Sequence, residues 1–377
     1  MVLVMEKARV KNPEYDYLIV GAGLFGAAFS RIMTERGKKC LVIEKRETVG
    51  GNIATEEVEG ITVHKFGAHI FHTDDKRVWD FVNRFAEFNN FVNSPLANFR
   101  GKLYSLPFNM YTFYQLWGCR TPAEARAIID AQKAACAIAE PKNLEEKALM
   151  SVGEDVYKTL IKGYTEKQWG RDCKHLPAFI IGRVPLRFVY DNNYFNDRYQ
   201  GIPVCGYTQM VKNMLLGADV VLGVDYFSDR KAWDERARTV LYTGEIDRFF
   251  DFKLGALEYR SLRFETEVLD MPDYQGNAVV NYTDFETPYT RIIEHKHFTG
   301  AGNKDKTVIT REYPQKYLPG SEPYYPINDE KNTALYNRYK ALGEGTQGVI
   351  FGGRLANYKY YDMDDTVAAA MALADRV

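Results

Sequence analysis

Three glycines near the start of the chain, Gly21, Gly23 and Gly26, form the pattern G-x-G-x-x-G between the apolar run YLIV and a helix-like segment. Glycines at these positions permit a tight turn and let a pyrophosphate approach the backbone, and the free N–H groups at the start of the following helix favour negative charge. A second apolar run, CLVIE, ends on Glu44, whose carboxylate is placed to accept hydrogen bonds from a ribose. This spacing favours a dinucleotide-binding βαβ unit over an ordinary glycine-rich turn between a strand and a helix.

Two further glycine-rich stretches indicate which dinucleotide is bound. Residues 49–52, VGGN, follow the acidic residue at the place where flavoproteins of this architecture let the chain pass close to the cofactor phosphates. Near the end of the chain, VIFGGRLANYKYYDMDD precedes a helix expected to begin near Asp364. The N-terminus of that helix would stabilise negative charge on a flavin by about 0.3–1 kcal/mol. FAD is therefore favoured over NAD; the alternative for the acidic residues there is that they only begin a helix.

The overall composition restricts the class of protein. The 377 residues are 46% hydrophobic and carry a formal net charge of −1. The chain can therefore bury one large core or several smaller ones, and no overall field attracts nucleic acid or an anionic membrane. The five cysteines lack CxxC or metal-ligand spacing, which is typical of free thiols in a reducing compartment. With neither a signal peptide nor an apolar run of about 18 residues, we expect a cytoplasmic protein without a membrane anchor or a metal site.

The pattern of apolar residues changes twice along the chain. Residues 75–165 lack β-rich runs and show helix starts at Thr121 and Asn143. From about residue 176, segments such as SLRFETEVLD and YTRIIEHKHFT indicate antiparallel strands, and TVLYTG and VIFGG return to the pattern of the opening unit. We therefore predict an α/β protein in which a discontinuous Rossmann-like FAD-binding domain carries a helical insertion domain and a mostly antiparallel β-sheet domain. The predicted boundaries are 1–74, 203–248 and 335–377 for the FAD-binding domain, 75–175 for the helical domain, and 176–202 with 249–334 for the sheet domain, with a mobile lid near 175–187.

Arginines and aromatic residues crowd the middle and the end of the chain. Residues 164–199 run YTEKQWGRDCKHLPAFIIGRVPLRFVYDNNYFNDRY, and YTRIIEH, EPYYP and NYKYY follow. Arginine grips phosphate oxygens with paired N–H donors, tyrosine hydroxyls complete such a shell, and flat rings stack on a nucleobase. A sugar nucleotide would use all three groups. The alternative is that the aromatic residues, 14% of the chain, only fill an antiparallel core.

Taken in order, five stretches of the chain resemble one enzyme family. These are FGAHIFHT, KGYTEKQWG, NNYFNDRYQGIPVCGYTQM, PYTRIIEHKHF and YKYYDMD, within a resemblance that runs from about Tyr15 to Ala374. The chain is similar over this length to the bacterial UDP-galactopyranose mutases. The resemblance implies an isomerase that interconverts UDP-galactopyranose and UDP-galactofuranose for cell-wall polysaccharide biosynthesis.

The chemistry implied by the resemblance uses a redox cofactor without net redox change. In the family, N5 of reduced FAD attacks the anomeric carbon of galactose and UDP is the leaving group, which is covalent catalysis by a cofactor. The resemblance also implies NAD(P)H or another reductant as the activator of the flavin, and a homodimer. Two alternatives remain: an FAD-dependent oxidoreductase, which would consume an electron acceptor in proportion to substrate, and a non-catalytic flavoprotein that binds sugar nucleotides.

The resemblance assigns three catalytic residues. Arg183 would close on the diphosphate from the lid, and Arg291 would grip it from the sheet. His72 would lie beside the flavin N5, with a purely structural role as the alternative to general acid/base work. The implied cofactor-binding residues are Gly21, Gly23, Phe25, Gly26, Glu44, Lys45, Gly51, Asn52, His69, Ile70, Thr243, Gly244, Arg354, Asp362 and Met363.

The substrate residues implied by the resemblance divide into a phosphate set and a uridine set. Tyr194, Tyr325 and Tyr360 correspond to tyrosines that contact the phosphates. The other implied substrate-binding residues are Asn93, Leu160, Tyr164, Thr165, Gln168, Trp169, Phe195 and Asn281, with Arg183 and Arg291. Leu160 stands where many bacterial members carry an aromatic residue, so the uridine pocket is expected to be looser here. Lys45 and Arg46 are expected to be solvated charges, not a pocket for a 2′-phosphate.

Overall fold

The computed structural model describes residues 13–181, 186–300, 302–318 and 320–377. Its strands are β1 (Tyr15–Val20), β2 (Cys40–Ile43), β3 (Thr55–Val58), β4 (Ile61–His64), β5 (Phe71–Thr73), β6 (Leu96–Phe99), β7 (Lys102–Ser105), β8 (Tyr199–Gly201), β9 (Asp219–Val221), β10 (Ala237–Tyr242), β11 (Tyr259–Leu269), β12 (Val279–Tyr282), β13 (Arg291–Glu294), β14 (Thr307–Lys316), β15 (Tyr325–Pro326) and β16 (Val349–Phe351).

The helices follow the same order along the chain. They are α1 (Leu24–Glu35), α2 (Lys76–Asn83), α3 (Met110–Trp117), α4 (Pro122–Ala135), α5 (Leu144–Val152), α6 (Glu154–Val156), α7 (Lys162–Trp169), α8 (Tyr207–Met214), α9 (Arg230–Asp234), α10 (Ile246–Phe249), α11 (Lys296–Thr299), α12 (Glu330–Glu344) and α13 (Met363–Ala374). A π-helical segment, Tyr157–Ile161, joins α6 to α7. Within the described ranges, no helix is both long enough and apolar enough to span a bilayer.

A parallel sheet carries the predicted βαβ unit. Its strand order is β16-β10-β1-β2-β9, and every pairing is parallel. All four residues of β2 are buried, which is typical of a strand covered on both faces. Helices α1, α8 and α13 contribute to one apolar core on this sheet. The predicted Rossmann-like α/β fold is confirmed, and the sheet draws its strands from distant parts of the chain.

A second sheet has the order β15-β11-β14-β13-β12-β6-β7. All its pairings are antiparallel except that between β6 and β12. The expectation that residues 75–165 contain no strands is wrong, because β6 and β7 form a hairpin at the edge of this sheet. Their sequences, LANF and KLYS, are short and partly polar, and the turn between them places Arg100 and Gly101 at positive φ. The other domain boundaries stay predictions.

Helices α4 and α5 begin where the sequence predicts. Thr121 accepts a hydrogen bond from the Glu124 N–H, and the Glu124 carboxylate accepts from the Thr121 N–H, which completes a capping box before α4. Asn143 caps α5 by accepting from the Glu146 N–H at 2.9 Å. A separate apolar core fills the space between these helices. This region is therefore built on its own core.

A tight joint connects α7 to the turn between β12 and β13. A Cβ on Gly163 would lie 2.5 Å from the Thr283 carbonyl oxygen, so only glycine fits there. The Thr283 hydroxyl donates to the Thr159 carbonyl at 2.8 Å. The Lys167 ammonium, which is 9% exposed, donates to the carbonyl oxygens of Tyr282 and Tyr289 at 2.8 and 2.9 Å. These contacts fix α7 against the two strands that it faces.

The buried ammonium at this joint makes stability depend on pH. Burial lowers the pKa of Lys167 from 10.5 to about 8. Between these values the unfolded chain holds a proton that the folded chain releases, so the stability of the wild type relative to Lys167→Met should rise with pH, by up to about 1.4 kcal/mol per unit. Urea unfolding of both proteins between neutral and alkaline pH measures this. Lys162→Met is the control, since the Lys162 side chain on the same helix is 38% exposed. A wild-type advantage that stayed flat or fell with pH would contradict the expectation.

Candidate active site

One cleft of about 810 Å³ lies between the parallel sheet and the larger antiparallel sheet. It is walled by the loop after β1, the segment before β5, the inner ends of β12 and β13, and the segment before α13. The predicted site residues that line it are Gly21, Gly23, Phe25, Gly26, Glu44, Lys45, Gly51, Asn52, His69, Ile70, His72, Asn93, Tyr164, Tyr194, Phe195, Thr243, Gly244, Asn281, Arg291, Tyr325, Arg354, Tyr360, Asp362 and Met363.

The glycine loop is so closely packed that side chains are excluded. Gly21 has φ +109°, and a Cβ there would lie 2.2 Å from the Thr243 hydroxyl oxygen. A Cβ on Gly26 would lie 2.2 Å from the Gly21 carbonyl oxygen. Gly51 also approaches closely, since its Cβ would lie 3.1 Å from the Gly23 Cα. The loop thus holds the start of α1 directly against two strands.

The first turn of α1 faces the cleft without a side-chain cap. Gly23 is the capping residue, and no acidic side chain lies in the first turn. The backbone N–H groups at this end are therefore left for another acceptor, as in sites that bind a diphosphate. Glu44 is buried nearby and accepts from the N–H groups of Ala22 at 2.9 Å and Arg46 at 3.0 Å. These bonds fix the orientation of its carboxylate at the wall of the cleft.

Arg46 is not the solvated charge that the sequence predicts. Its side chain is 17% exposed, and its guanidinium lies 4.3 Å from the centre of the Phe66 ring. Nη2 donates to Asn52 Oδ1 at 3.1 Å and to Glu322 Oε2 at 2.9 Å. The Lys45 ammonium also reaches Glu322, at 2.8 Å, but its side chain is 44% exposed. Glu322 is remote in sequence, so no local signal indicated that it would bury Arg46.

The opposite wall of the cleft carries an ion pair in which the carboxylate is buried and the guanidinium is partly exposed to the cleft. Arg291 Nε lies 3.3 Å from Glu312 Oε1, and Nη2 donates to the Tyr164 hydroxyl at 2.7 Å. Burial disfavours the charge on Arg291, but the Glu312 carboxylate, together with Tyr164 and Tyr325, outweighs this effect and raises the pKa of Arg291 well above its usual value. Glu312 is 1% exposed and also accepts from the Thr290 hydroxyl. Glu312, on β14, was not among the site residues predicted from the sequence.

Tyrosine hydroxyls surround this arginine. The rings of Tyr325 and Tyr360 stack with centres 5.7 Å apart. Burial and the Glu312 carboxylate raise the pKa of Tyr325 well above its usual value, so its hydroxyl is a neutral hydrogen-bond donor. Tyr194 and Tyr360 are 45% and 52% exposed. Together with Arg291, they present hydrogen-bond donors to an anion in the cleft.

Two histidines of the HIFH stretch reach the cleft with different partners. His72 Nδ1 lies 2.6 Å from Asp197 Oδ2, and its ring stacks on Phe195 with centres 3.7 Å apart. A carboxylate in this position orients the imidazole and selects its tautomer. The sequence analysis missed Asp197. Burial lowers the pKa of His69 to about 4, and its Nδ1 lies 2.9 Å from the Gly67 carbonyl oxygen, so this ring is neutral and donates from Nδ1.

Several predicted residues lie elsewhere. Leu160 is 5% exposed in the helical core, and Trp169 packs against the same core. Thr165 and Gln168 lie on α7 but do not line the cleft; the Gln168 carbonyl accepts from Arg260 Nε at 2.9 Å. Their roles in uridine binding stay predictions. Arg183 lies outside the described residues.

Comparisons with known proteins show which family the chain resembles. Residues 159–360 match the model of the UDP-galactopyranose mutase family, and residues 19–85 match that of an NAD(P)-binding Rossmann-like domain. A dTDP-fucopyranose mutase from Escherichia coli is 39% identical over 95% of this chain and 97% of its own length. A probable UDP-galactopyranose mutase from Klebsiella pneumoniae is also 39% identical, over 96% of this chain and 94% of its own.

Solved structures share the whole architecture. The crystal structure of a reduced UDP-galactopyranose mutase aligns with a TM-score of 0.72, at 14% identity, over 96% of this chain and 95% of that one. At this identity the likeness establishes the fold, whereas the family match and the two relatives establish kinship. The chain belongs to the UDP-galactopyranose mutase family of isomerases.

Proposed function

We propose that this protein binds FAD and interconverts UDP-galactopyranose and UDP-galactofuranose. The observation that carries the proposal is that the Arg291, Tyr164 and Glu312 cluster faces the same cleft as the glycine loop. A diphosphate-linked sugar held by the cluster would therefore lie beside a dinucleotide held by the loop. The cleft offers places for a cofactor and for a charged leaving group.

The residues of the loop fit a flavin dinucleotide. The uncapped N-terminus of α1, the glycines whose Cβ atoms would fill the cradle, and the oriented Glu44 carboxylate suit a diphosphate and an adenosine ribose. Arg354 and Asp362 line the other end of the cleft, near the start of α13. When bound and reduced, FAD would supply the nucleophile that attacks the anomeric carbon of the sugar.

The protein's own residues would act mainly on the leaving group. Negative charge builds on the UDP diphosphate as its bond to the sugar breaks, and a buried guanidinium stabilises such charge strongly. Glu312 holds the Arg291 guanidinium in place, and the Tyr164 hydroxyl, which accepts from Arg291 Nη2, keeps its own proton free for a phosphate oxygen. The Tyr325 and Tyr360 hydroxyls would donate further hydrogen bonds to the diphosphate. The His72 imidazole, oriented by Asp197, would be placed to hold or move a proton in the cleft.

A second sugar nucleotide is also a candidate substrate and should be assayed beside the first. The E. coli relative, named dTDP-fucopyranose mutase, is as similar to this chain as the K. pneumoniae relative. Leu160, predicted to contact the base, is buried in the helical core. A fucose linked to thymidine diphosphate is therefore the second candidate substrate for the same reaction.

Turnover of both sugar nucleotides tests the proposal. We expect dithionite-reduced, flavin-loaded protein to convert UDP-galactofuranose to UDP-galactopyranose, with no loss of reductant in proportion to product, and the oxidised protein to be inactive. Chromatography of the sugar nucleotides gives the product, and the same assay with dTDP-fucofuranose ranks the two substrates. Consumption of one electron acceptor per substrate would instead indicate an FAD-dependent oxidoreductase. Inactivity of the reduced protein on both nucleotides would overturn the proposal.

The proposed function also involves a reductant for the flavin and a dimeric assembly. We infer that NAD(P)H or another reductant keeps the flavin reduced in the cytoplasm, and that two copies of the chain form a dimer. Reduction of the bound flavin by NADH or NADPH under anaerobic conditions, followed in the visible spectrum, tests the first. Light scattering of the purified protein tests the second.

A further inference from the structure

Arg187 is a nearly buried arginine whose hydrogen bonds converge on one turn. Its side chain is 11% exposed. Nη1 donates to the Asn193 carbonyl, and Nη2 donates to the Tyr194 carbonyl at 3.2 Å and to the Asn196 side chain. Its own N–H donates to the Phe108 carbonyl at 2.9 Å. The guanidinium therefore ties the turn at residues 193–196 to the helical region.

This turn carries a side chain of the cleft wall. Tyr194 lines the cleft, and its N–H donates to the Asn93 carbonyl at 2.8 Å. The adjacent Phe195 ring stacks on His72. Tyr194 is 45% exposed, and its ring makes an edge-on contact with Phe195 at 5.5 Å between centres. The bonds from Arg187 to the Asn193 and Tyr194 carbonyls fix the backbone from which the hydroxyl extends into the cleft.

The planar fork of arginine suits this task better than other side chains. It presents donors in fixed directions to several acceptors at once, whereas a lysine presents one rotating ammonium group. Hydrogen bonds from a charged donor are also stronger than those between neutral groups. We propose that Arg187 is a positioning residue that holds Tyr194 in the orientation in which it contacts the diphosphate of the substrate. This inference rests on the role of Tyr194 in the proposed function.

The experiment compares Arg187→Lys with the wild type in UDP affinity and in kcat/KM for UDP-galactofuranose. We expect both quantities to fall about 10- to 100-fold, with flavin content and spectrum unchanged. In a Tyr194→Phe background the same replacement should cost less than about threefold, because residues that act through one another are not additive. Arg126→Lys is the control: Arg126 lies 3.8 Å over the Phe188 ring in the same region and should leave both quantities unchanged.

A second variant keeps the inference testable if Arg187→Lys does not fold. Asn196→Ala removes one acceptor of Arg187 at an exposed position and should lower UDP affinity about threefold. Undiminished affinity in Arg187→Lys, or an equal loss with and without the Tyr194 hydroxyl, would overturn the inference while leaving the proposed function intact. If the wild type binds UDP but isomerises neither nucleotide, the proposed function fails and the UDP affinities still decide the role of Arg187. A wild type that does not bind UDP overturns both.

Discussion

Alanine in place of Gly26 should give a folded protein that purifies without flavin. The added Cβ would lie 2.2 Å from the Gly21 carbonyl oxygen and 3.1 Å from Ile19 Cγ2, so α1 must move away from β1. Overpacking of this kind costs about 1–3 kcal/mol, and here it moves the backbone N–H groups that we expect to hold the diphosphate. We expect FAD affinity to fall at least about 100-fold. Visible absorbance of the purified protein and titration of the apoprotein with FAD measure the loss.

The control for this change is Gly345, which follows α12 and does not line the cleft. At Gly345 the backbone φ is −84°, and the nearest atom to an added Cβ is 3.6 Å away. Gly345→Ala should therefore retain flavin and unfold at the wild-type temperature or slightly above. A Gly26→Ala protein that binds FAD as tightly as this control would show that the loop does not hold the cofactor.

Removal of the Arg291 guanidinium should nearly abolish isomerisation. Arg291→Met leaves Glu312 buried without its cation, and breaking such a pair costs about 3–5 kcal/mol in stability. It also removes the charge that would stabilise departing UDP, so we expect kcat/KM to fall by about 10³ or more. Arg291→Lys keeps the charge without the fork and should lose about 10- to 100-fold. Turnover of UDP-galactofuranose by reduced enzyme gives both values.

Two further proteins separate the effect on stability from the effect on turnover. Arg291→Met combined with Glu312→Leu removes both charges, so its stability should recover while its turnover does not. Arg311→Lys is the matched control: Arg311 lies on the neighbouring strand and bonds to Glu267 at 2.9 Å, away from the cleft. Recovery of turnover in the double variant would mean that Arg291 only supports the fold.

Local signals in the sequence predicted the elements that depend on neighbouring residues. The βαβ unit follows from glycine spacing and apolar runs, and the starts of α4 and α5 follow from Thr121 and Asn143, which cap within one turn. The strands β11 and β13 were also predicted, from aromatic and β-branched segments separated by turns. The residue patterns that predict these features each lie within a short stretch of the chain.

The contacts that complete the site join residues far apart. Arg46 meets Glu322 across 276 positions, and Asp197 meets His72 across 125. The periodicity of a sequence does not indicate which residues pair over such distances. Arg46 was therefore predicted to be solvent-exposed, and Asp197 was not predicted as a site residue. The hairpin of β6 and β7 was missed for a related reason: its strands are short, and their pairing with β12 depends on the whole sheet.

A change of helix type explains why Leu160 and Tyr164 face different surroundings. In a continuous α-helix, residues four apart lie on the same face. The π-helical segment Tyr157–Ile161 contains wider turns, which rotate the residues that follow relative to those before. Leu160 therefore packs in the helical core while Tyr164 reaches Arg291. A sequence pattern alone does not show where such a segment occurs.

The strands of the parallel sheet come from distant parts of the chain, and this affects how the protein folds during synthesis. Its edge strand β16 and the helix α13, which packs on α1, are synthesised long after β1 and α1. At translation rates of about 5–20 residues per second, the nascent N-terminal unit waits on the order of tens of seconds for them. The growing chain must therefore keep the apolar face of α1 from aggregating until α13 is synthesised and covers it.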